Sequence, residues 1–228
     1  MELIFATANL HKLEEASAIL GDGFTLIMPK ELGRAEDIPE TGATLEENSM
    51  QKCQAVVQMF GRDCFADDTG LEIEALGGAP GVHSARYADN WQPPFKEAEA
   101  FAKLSAQAQT PESKAIPLEY RKIMLRLLYE MEQEEKKAAA EGRETNRRGR
   151  FRTVITLWYK GKYYTFEGSV NGTITRKMQG VNGFGYDAVF MPDGFDCTIA
   201  QMTQEQKNAL SHRSVALRKL ADFFKDVR

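Results

Sequence analysis

Acidic side chains that suit a divalent cation lie at several places near the start of the sequence. Glu40 precedes a predicted helix, Glu47 lies in its first turn, and Asp67 and Asp68 follow a short predicted strand. Magnesium prefers oxygen ligands and is usually held by one or two carboxylates together with substrate phosphates. Adjacent carboxylates repel each other unless a cation or a separate partner compensates. These residues therefore predict a metal-binding set, with an Asx turn and a helix capping box as the alternatives.

A second candidate set lies where a predicted strand turns into a helix. It consists of Thr7, Ala8, Asn9, Leu10, His11 and Lys12. Free N–H groups at a helix start attract anions, and ligands of open α/β sheets bind beyond the carboxyl ends of strands. A hydroxyl, an amide and an ammonium group at this junction predict a phosphate-binding segment. An Asn N-cap followed by a solvated lysine is the alternative.

Two further sets lie in the C-terminal part of the chain. Lys207, Ser211 and Arg213 are spaced so that one continuous helix would place them on one side, with His212 beside them. They predict one wall of a cleft, with a solvated polar helix face as the alternative. The loop Gly183–Asp187 offers glycines that admit a flat ligand, an aromatic ring that can stack and a carboxylate that can accept hydrogen bonds. A β-bulge or hairpin turn is the alternative there.

The elements that must position these residues follow an α/β pattern. A buried strand is predicted over 3–7, helices over 10–20 and 45–60, and short strands over 64–66 and 71–75. In this reading Leu10, Leu13 and Leu20 lie near one helix face, and Asp67 and Asp68 lie beyond a strand end.

The second half of the chain is predicted to begin with helices over 97–108 and 118–141. The charged stretch 132–150 reads as a solvated helix end and a mobile loop. A hairpin over 151–170, a strand over 188–191 and a final helix from a capping box at Thr203 to about 225 complete the pattern.

Composition excludes several classes of protein. The 228 residues carry 29 Lys and Arg against 33 Asp and Glu, a net charge of −4, which argues against a protein that coats nucleic acid. Three separated cysteines and three histidines argue against a disulfide framework and a structural zinc site, and they favour a reducing cytosol. We find no signal peptide, membrane span, P-loop, dinucleotide-binding fingerprint or nucleophile elbow.

Six sequence blocks occur in order along nearly the whole chain. They cover residues 7–12, 40–48, 66–71, 76–87, 183–187 and 211–213, and include Ala66-Asp-Asp-Thr-Gly-Leu71, Gly183-Phe-Gly-Tyr-Asp187 and Ser211-His-Arg213. Together they resemble the inosine triphosphate pyrophosphatase family, house-cleaning enzymes that hydrolyse non-canonical purine triphosphates. The resemblance implies an α/β fold, an elongated mixed β-sheet flanked by helices, with two lobes and a central active-site cleft. It also implies a single ITPase-like domain over 1–228 with a helical insertion at about 110–150.

The resemblance further implies the reaction and the residues that perform it. A magnesium-dependent enzyme would convert dITP, ITP and XTP to the monophosphate and pyrophosphate, with Asp68 as general base and Glu40, Asp68 and Glu47 at the metal. The triphosphate would be held by residues 7–12 and Lys52. The residues implied to contact the rest of the substrate are Thr69, Phe184, Gly185, Tyr186, Asp187, Lys207, His212 and Arg213.

The implied selectivity has a chemical reason. Inosine and xanthosine present a 6-keto acceptor where adenosine presents a donor, so a wall of cationic donors rejects adenine by leaving buried donors unpaired. We expect a cytoplasmic homodimer that binds neither nucleic acid nor membrane. A Maf-like pyrophosphatase that prefers other bases and a nucleotide sensor without turnover are the alternatives.

Overall fold

The computed structural model describes residues 1–34 and 38–227, apart from the side chains of His11 and Phe95. In that part of the chain seven strands form one mixed sheet, and six α-helices accompany it. The strands are β1 (Glu2–Phe5), β2 (Thr25–Ile27), β3 (Cys64–Ile73), β4 (Pro80–Gly81), β5 (Arg148–Tyr159), β6 (Lys162–Ile174) and β7 (Phe190–Pro192). The helices are α1 (Leu10–Leu20), α2 (Leu45–Phe60), α3 (Ala98–Ala108), α4 (Leu118–Ala140), α5 (Gln204–Leu210) and α6 (His212–Asp226).

The sheet has the strand order β2-β1-β3-β5-β6-β7, and β4 pairs with β3. β1 runs parallel to β2 and to β3, whereas β4 and β7 run antiparallel to β3 and β6. Lys160 and Gly161, both with positive φ, join β5 to β6, as a two-residue hairpin turn requires. The predicted α/β class and mixed sheet are therefore confirmed.

The chain forms two compact units. The first comprises residues 1–69, 152–169 and 208–228. Its core lies on both faces of β1, because Leu3 and Phe5 pack in one cluster with residues of α1 and α6. Ile4 and Ala6 pack in another cluster with residues of α2. Burial on both faces explains the continuous apolar run of this strand.

The second unit comprises residues 70–151 and 170–207. Much of its core comes from α4, which buries Met124, Leu127, Leu128 and Met131. The rings of Phe101 in α3 and Tyr129 in α4 meet edge to face at 5.6 Å, and Trp91 contacts both. The predicted insertion at about 110–150 thus includes core residues of this unit.

The prediction that Asp67 and Asp68 lie beyond a strand end was wrong. β3 runs without a break from Cys64 to Ile73 and contains both residues. The predicted second strand over 71–75 is its continuation, followed by a 3-10 turn over Glu74–Leu76. Successive side chains of a strand point to opposite faces, so the two carboxylates need not compete for the same partner.

The prediction of one continuous C-terminal helix was also wrong. The chain breaks at Ser211, whose extended backbone and side chain cap α6 by accepting a hydrogen bond from the backbone N–H of Ser214 at 3.1 Å. Lys207 and Arg213 therefore lie on different helices. Leu10 differs from expectation too, since 59% of it is exposed.

Part of the charged stretch before the hairpin forms ion pairs with neighbouring elements, whereas a solvated loop was predicted. β5 begins at Arg148, three residues earlier than predicted. Arg147 pairs with Glu135 at 2.9 Å and Arg148 with Asp193 at 2.6 Å. These arginines hold neighbouring elements of the second unit together.

Candidate active site

Asp67 is the centre of a buried ion cluster on one face of β3. It is 1% exposed, and its two oxygens accept from Lys12 Nζ and Arg213 Nε, each at 2.9 Å. Arg213 also donates through Nη1 to Glu15 at 2.6 Å. Two cations and two carboxylates thereby join β3 to α1 and α6.

The electrostatics of this cluster favour the ionised form of Asp67. Burial raises the pKa of this carboxyl, but the charges of Lys12, Arg213 and Lys52 outweigh it and hold the pKa well below its usual value. Burial lowers the pKa of Lys12 despite the attraction of Asp67. For Arg213 the burial penalty is overcome by Asp67 and Glu15, so its pKa is raised.

Asp68 has its own partners, which come from α2. Lys52 Nζ lies 3.3 Å from Asp68 Oδ1 and 2.5 Å from Glu40 Oε1. Asn48 donates from Nδ2 to Asp68 Oδ2 at 3.2 Å. Burial is the main cause that raises the pKa of Asp68, whereas Lys52 and Asn48 oppose that shift. The pKa of Lys52 is raised, because Asp68, Asp67 and Glu40 together outweigh its burial.

The start of α2 fixes the segment that follows Glu40. Thr44 caps the helix by accepting from the backbone N–H of Glu47 at 3.1 Å. Glu47 Oε2 in turn accepts from the backbone N–H of Ala43 at 2.6 Å, and Asn48 Oδ1 accepts from that of Gly42 at 2.8 Å. The carboxylate of Glu47 therefore serves the helix start, and its role at a metal remains a prediction.

The predicted phosphate-binding segment also shows local order. The backbone N–H of Asn9 donates to Thr7 Oγ1 at 3.1 Å, and that of Lys12 donates to Asn9 Oδ1 at 3.4 Å. Ala8, Asn9 and Leu10 are exposed. The side chain of His11, which was predicted to belong to this set, lies outside the described part of the structure.

A chain of hydroxyl groups extends from the ion cluster to the start of α6. Thr69 Oγ1 lies 2.7 Å from Thr153 Oγ1, and Thr153 Oγ1 lies 2.6 Å from His212 Nδ1. Arg213 Nη2 approaches Thr69 Oγ1 at 3.5 Å. Three nitrogens of Arg213 thus face partners within the protein, which favours a positioning role for this side chain over direct contact with a ligand.

Sequence reasoning missed Glu15, Asn48 and Thr153. Two of them carried a usable signal, because Glu15 follows Lys12 by three residues and Asn48 precedes Lys52 by four on their helices. Such spacings place side chains on one helix face. Thr153 had no such signal, since its contact with Thr69 joins residues 84 apart.

The glycine-rich loop lies in the second unit. Asp187 Oδ2 accepts from the backbone N–H of Phe184 at 3.1 Å and from Lys207 Nζ at 2.6 Å, and Lys207 Nζ lies 4.6 Å from the Phe184 ring centroid. Gly183 has a φ of +85°, and a Cβ there would lie 2.1 Å from Asp187 Oδ2, so the close turn requires glycine. Tyr186 is buried and donates to the carbonyl of Ser84, which assigns its side chain to packing.

A small, shallow pocket lies beside this loop. It is lined by Ile116, Tyr120, Met124, Val181, Asn182, Gly183, Phe184, Gly185, Asp187 and Ala188. Its walls combine aromatic and apolar side chains with a few polar groups.

The carboxylates around Lys52 offer oxygen ligands of the kind that magnesium prefers. No group of three or more His, Cys, Asp or Glu residues in the described part of the chain is arranged to hold a metal ion. Glu40 and Asp68, however, both direct an oxygen at the same cation, Lys52. Two converging carboxylates with few further protein ligands fit magnesium that is completed by substrate phosphates.

The fold and these contacts define an α/β protein with a buried carboxylate–cation site on a central strand. The chain belongs to the Ham1 family, whose family model matches residues 3–121 and 118–223. This membership confirms the family resemblance that the six sequence blocks predicted.

Individual relatives agree with this membership. A dITP/XTP pyrophosphatase of Porphyromonas gingivalis is 40% identical over 222 residues, which cover 97% of this chain and 96% of the relative. One from Flavobacterium johnsoniae is 38% identical and covers 97% of each chain. The HAM1 protein of Coxiella burnetii superposes with a TM-score of 0.78 at 29% identity over 99% of each chain. The Staphylococcus aureus Ham1 protein superposes with a TM-score of 0.74 at 30% identity, over the full length of both chains.

Within residues 1–34 and 38–227, no helix is both long enough and apolar enough to cross a bilayer.

Proposed function

We propose that this protein hydrolyses the non-canonical purine nucleoside triphosphates dITP, ITP and XTP to the monophosphate and pyrophosphate, and so removes them from the nucleotide pool. The observation that carries the proposal is the arrangement on β3, where adjacent carboxylates hold basic side chains on two faces of one strand. Relatives of nearly full-length similarity that are named dITP/XTP pyrophosphatase support the substrate class.

Asp68 acts as the general base of the reaction. It accepts a proton from the attacking water while the bond between the α-phosphorus and the bridging oxygen breaks and pyrophosphate leaves with the electron pair. Lys52 and Asn48 hold its two oxygens in place. Burial raises the pKa of Asp68, which makes it a stronger base than an exposed aspartate.

Positive charge for the triphosphate comes from Lys12, Lys52 and the N–H groups at the start of α1. Asp67 fixes the position of Lys12, so this ammonium group is preorganised before substrate binds. Glu40 and Asp68 would hold magnesium, with Glu47 as a further ligand. The ion, when bound, neutralises charge on the phosphate oxygens.

Recognition of the purine base falls to a separate set of side chains. These are Phe184, Asp187, Lys207 and His212, with Gly185 and the backbone of Tyr186 beside them and Thr69 as a further substrate contact. Phe184 is 36% exposed and can stack on a base, and Lys207 is held by Asp187. Arg213 positions Asp67 and Thr69 rather than the base.

Location and assembly are further parts of the proposal. The described cysteines Cys53, Cys64 and Cys197 are free thiols, which suits a reducing cytoplasm. Homodimer formation rests on the family resemblance, and sedimentation velocity of the purified chain tests it.

The central experiment measures pyrophosphate release at alkaline pH with magnesium from ITP, XTP, GTP, ATP and UTP. We expect rapid release from ITP and XTP and slow release from ATP and UTP. Asp68→Asn should lose roughly 10²- to 10⁴-fold in kcat, the usual contribution of a general base. Asp222→Asn, the same change at an exposed helix position, is the matched control.

The alternatives give different results in the same assay. Preference for a pyrimidine triphosphate would assign the protein to Maf-like pyrophosphatases. Tight nucleotide binding without turnover would identify a sensor, and an unaffected Asp68→Asn variant would remove Asp68 from the role of base.

A further inference from the structure

Thr153 is a buried hydroxyl that links two residues of the candidate site. It is fully buried on β5, 2.7 Å from Thr69 Oγ1 and 2.6 Å from His212 Nδ1. Both distances lie within the range of hydrogen bonds, so the Thr153 hydroxyl is held on both sides. These contacts form a hydrogen-bonded row of side chains, and at its other end Thr69 Oγ1 lies 3.5 Å from Arg213 Nη2.

The donors and acceptors of this hydrogen-bonded row determine which group donates in each of its hydrogen bonds. A guanidinium has only donors, so Arg213 cannot accept the hydroxyl hydrogen of Thr69. In the described part of the chain the polar partners of Thr69 Oγ1 are Arg213 and Thr153, and therefore Thr153 Oγ1 is the acceptor. Thr153 then directs its own single hydrogen to His212 Nδ1, which must be unprotonated to accept it.

The opposite direction is disfavoured for a physical reason. If His212 Nδ1 carried the proton and donated to Thr153, Thr153 would donate to Thr69. The hydroxyl hydrogen of Thr69 would then face a guanidinium that offers no acceptor, in a partly buried place where an unmade hydrogen bond is costly.

We propose that Thr153 is a positioning residue that fixes His212 as the neutral tautomer with its proton on Nε2, and thereby determines selectivity for 6-oxopurines. An Nε2–H group donates to a 6-oxo acceptor and opposes the 6-amino donor of adenine. The other tautomer would present an acceptor at Nε2 and favour adenine instead. The selectivity part rests on the proposed function, whereas the tautomer part does not.

The imidazole is also fixed through its backbone. His212 is the first residue of α6, and Gly168 of β6 lies so close that a Cβ there would be 2.1 Å from the His212 carbonyl oxygen. Backbone and ring are thus both constrained, and a fixed tautomer presents its proton in a fixed direction.

The first test is nitrogen-15 NMR of the full-length protein at alkaline pH, where histidine is neutral. The sequence has three histidines, and His212→Gln assigns the signal of His212. We expect the Nε2–H tautomer in the wild type and in Thr153→Ser, which keeps the hydroxyl. Thr153→Val should give a mixture of tautomers. Observation of Nδ1–H in the wild type would overturn the proposal.

The second test measures kcat/KM for ITP and ATP. The preference for ITP should fall roughly 3- to 10-fold in Thr153→Val, the equivalent of one hydrogen bond, and return in Thr153→Ser. Thr156→Val is the matched control, because Thr156 is another buried hydroxyl of β5 but contacts Ser49 at 2.8 Å. Thermal unfolding of all variants separates loss of folding from loss of selectivity.

The two tests fail in different ways. An unchanged ITP preference in Thr153→Val, together with a changed tautomer, would overturn the selectivity part. A wild type that hydrolyses no triphosphate would overturn that part together with the proposed function, while the NMR result still decides the tautomer.

Discussion

At the scale of single residues, the candidate site contains two neighbouring aspartates with different surroundings. Asp67 is enclosed by Lys12 and Arg213, and its pKa is lowered. Asp68 contacts Asn48 and Lys52, and its pKa is raised by burial. The strand pleat separates their surroundings, so one carboxylate stays ionised as a structural anchor while the other is suited to accept a proton.

Replacement of Asp67 by asparagine should destabilise the fold strongly. The change leaves Lys12 and Arg213 without their shared counter-charge, and breaking a buried ion pair from one side costs about 3–5 kcal/mol. Urea unfolding measures the loss. Asp222→Asn, which disturbs an exposed pair with Lys225, should change little. Equal effects of the two substitutions would contradict the assignment of Asp67 as an anchor.

The stability difference between the wild type and Asp67→Asn should depend on pH. The folded-state pKa of Asp67 lies below its ordinary value of 3.8. Ionised Asp67 therefore stabilises the fold fully at pH values above 3.8. The contribution is lost as the pH falls through the folded-state pKa. The difference in unfolding free energy between wild type and Asp67→Asn, measured with a chelator present, should therefore be constant near neutral pH and shrink in acid. A difference that grows in acid would show the opposite shift.

At the scale of elements, the break between α5 and α6 decides where the C-terminal residues act. Ser211 caps α6 and also donates to Glu15 Oε1 at 2.7 Å. This turn lets Arg213 reach β3 and α1, whereas Lys207 stays beside Asp187 in the second unit. Gly168 allows the start of α6 to approach β6 closely.

Loss of the Ser211 cap should cost more than loss of an ordinary cap. Ser211→Ala removes both the N-cap bond and the bond to Glu15, and we expect a loss of about 1–2 kcal/mol in unfolding free energy. Thr203→Ala at the exposed capping box of α5 should cost about 0.5–1 kcal/mol. Ser211→Asp restores a capping acceptor but faces Glu15, so it should not recover stability.

A methyl group at position 168 should displace α6. The added Cβ would lie 2.1 Å from the His212 carbonyl oxygen and 2.6 Å from the Ala216 nitrogen, and backbone atoms cannot rotate away. We expect Gly168→Ala to cost about 3 kcal/mol or more in chemical denaturation. Ser169→Ala, the neighbouring exposed position, should be nearly neutral. A stable Gly168→Ala protein would show that α6 can shift without penalty.

At the scale of the whole molecule, apolar burial stabilises each unit, and the magnesium of the proposed function would serve only the reaction. Core clusters on both faces of β1 and the buried side of α4 supply apolar burial in each unit. Within the described residues no cluster of metal-binding side chains closes around an ion. Lys52 forms an ion pair with both Glu40 and Asp68, so a side chain of the protein itself offsets part of their charge.

Removal of magnesium should therefore abolish activity without unfolding the protein. We expect a chelator to stop pyrophosphate release, to change the melting temperature by less than about 2 °C, and to be reversed by added magnesium. Circular dichroism melting with and without the chelator measures the effect. Unfolding by the chelator would instead indicate a structural metal.

The sequence by itself determined the α/β class, the bounds of α1 to α4, the family and the types of residue at the candidate site, because these depend on local periodicity, capping patterns and ordered motifs. It did not determine that β3 continues through Asp67 and Asp68, because a strand bearing two charges is stable only when distant residues neutralise both. Only the tertiary structure placed Lys12 and Arg213 on one carboxylate and Lys52 on the other. The contacts of Thr153 also could not be predicted from the sequence. Its partners Thr69 and His212 are remote in sequence and meet it only when the sheet and α6 have packed.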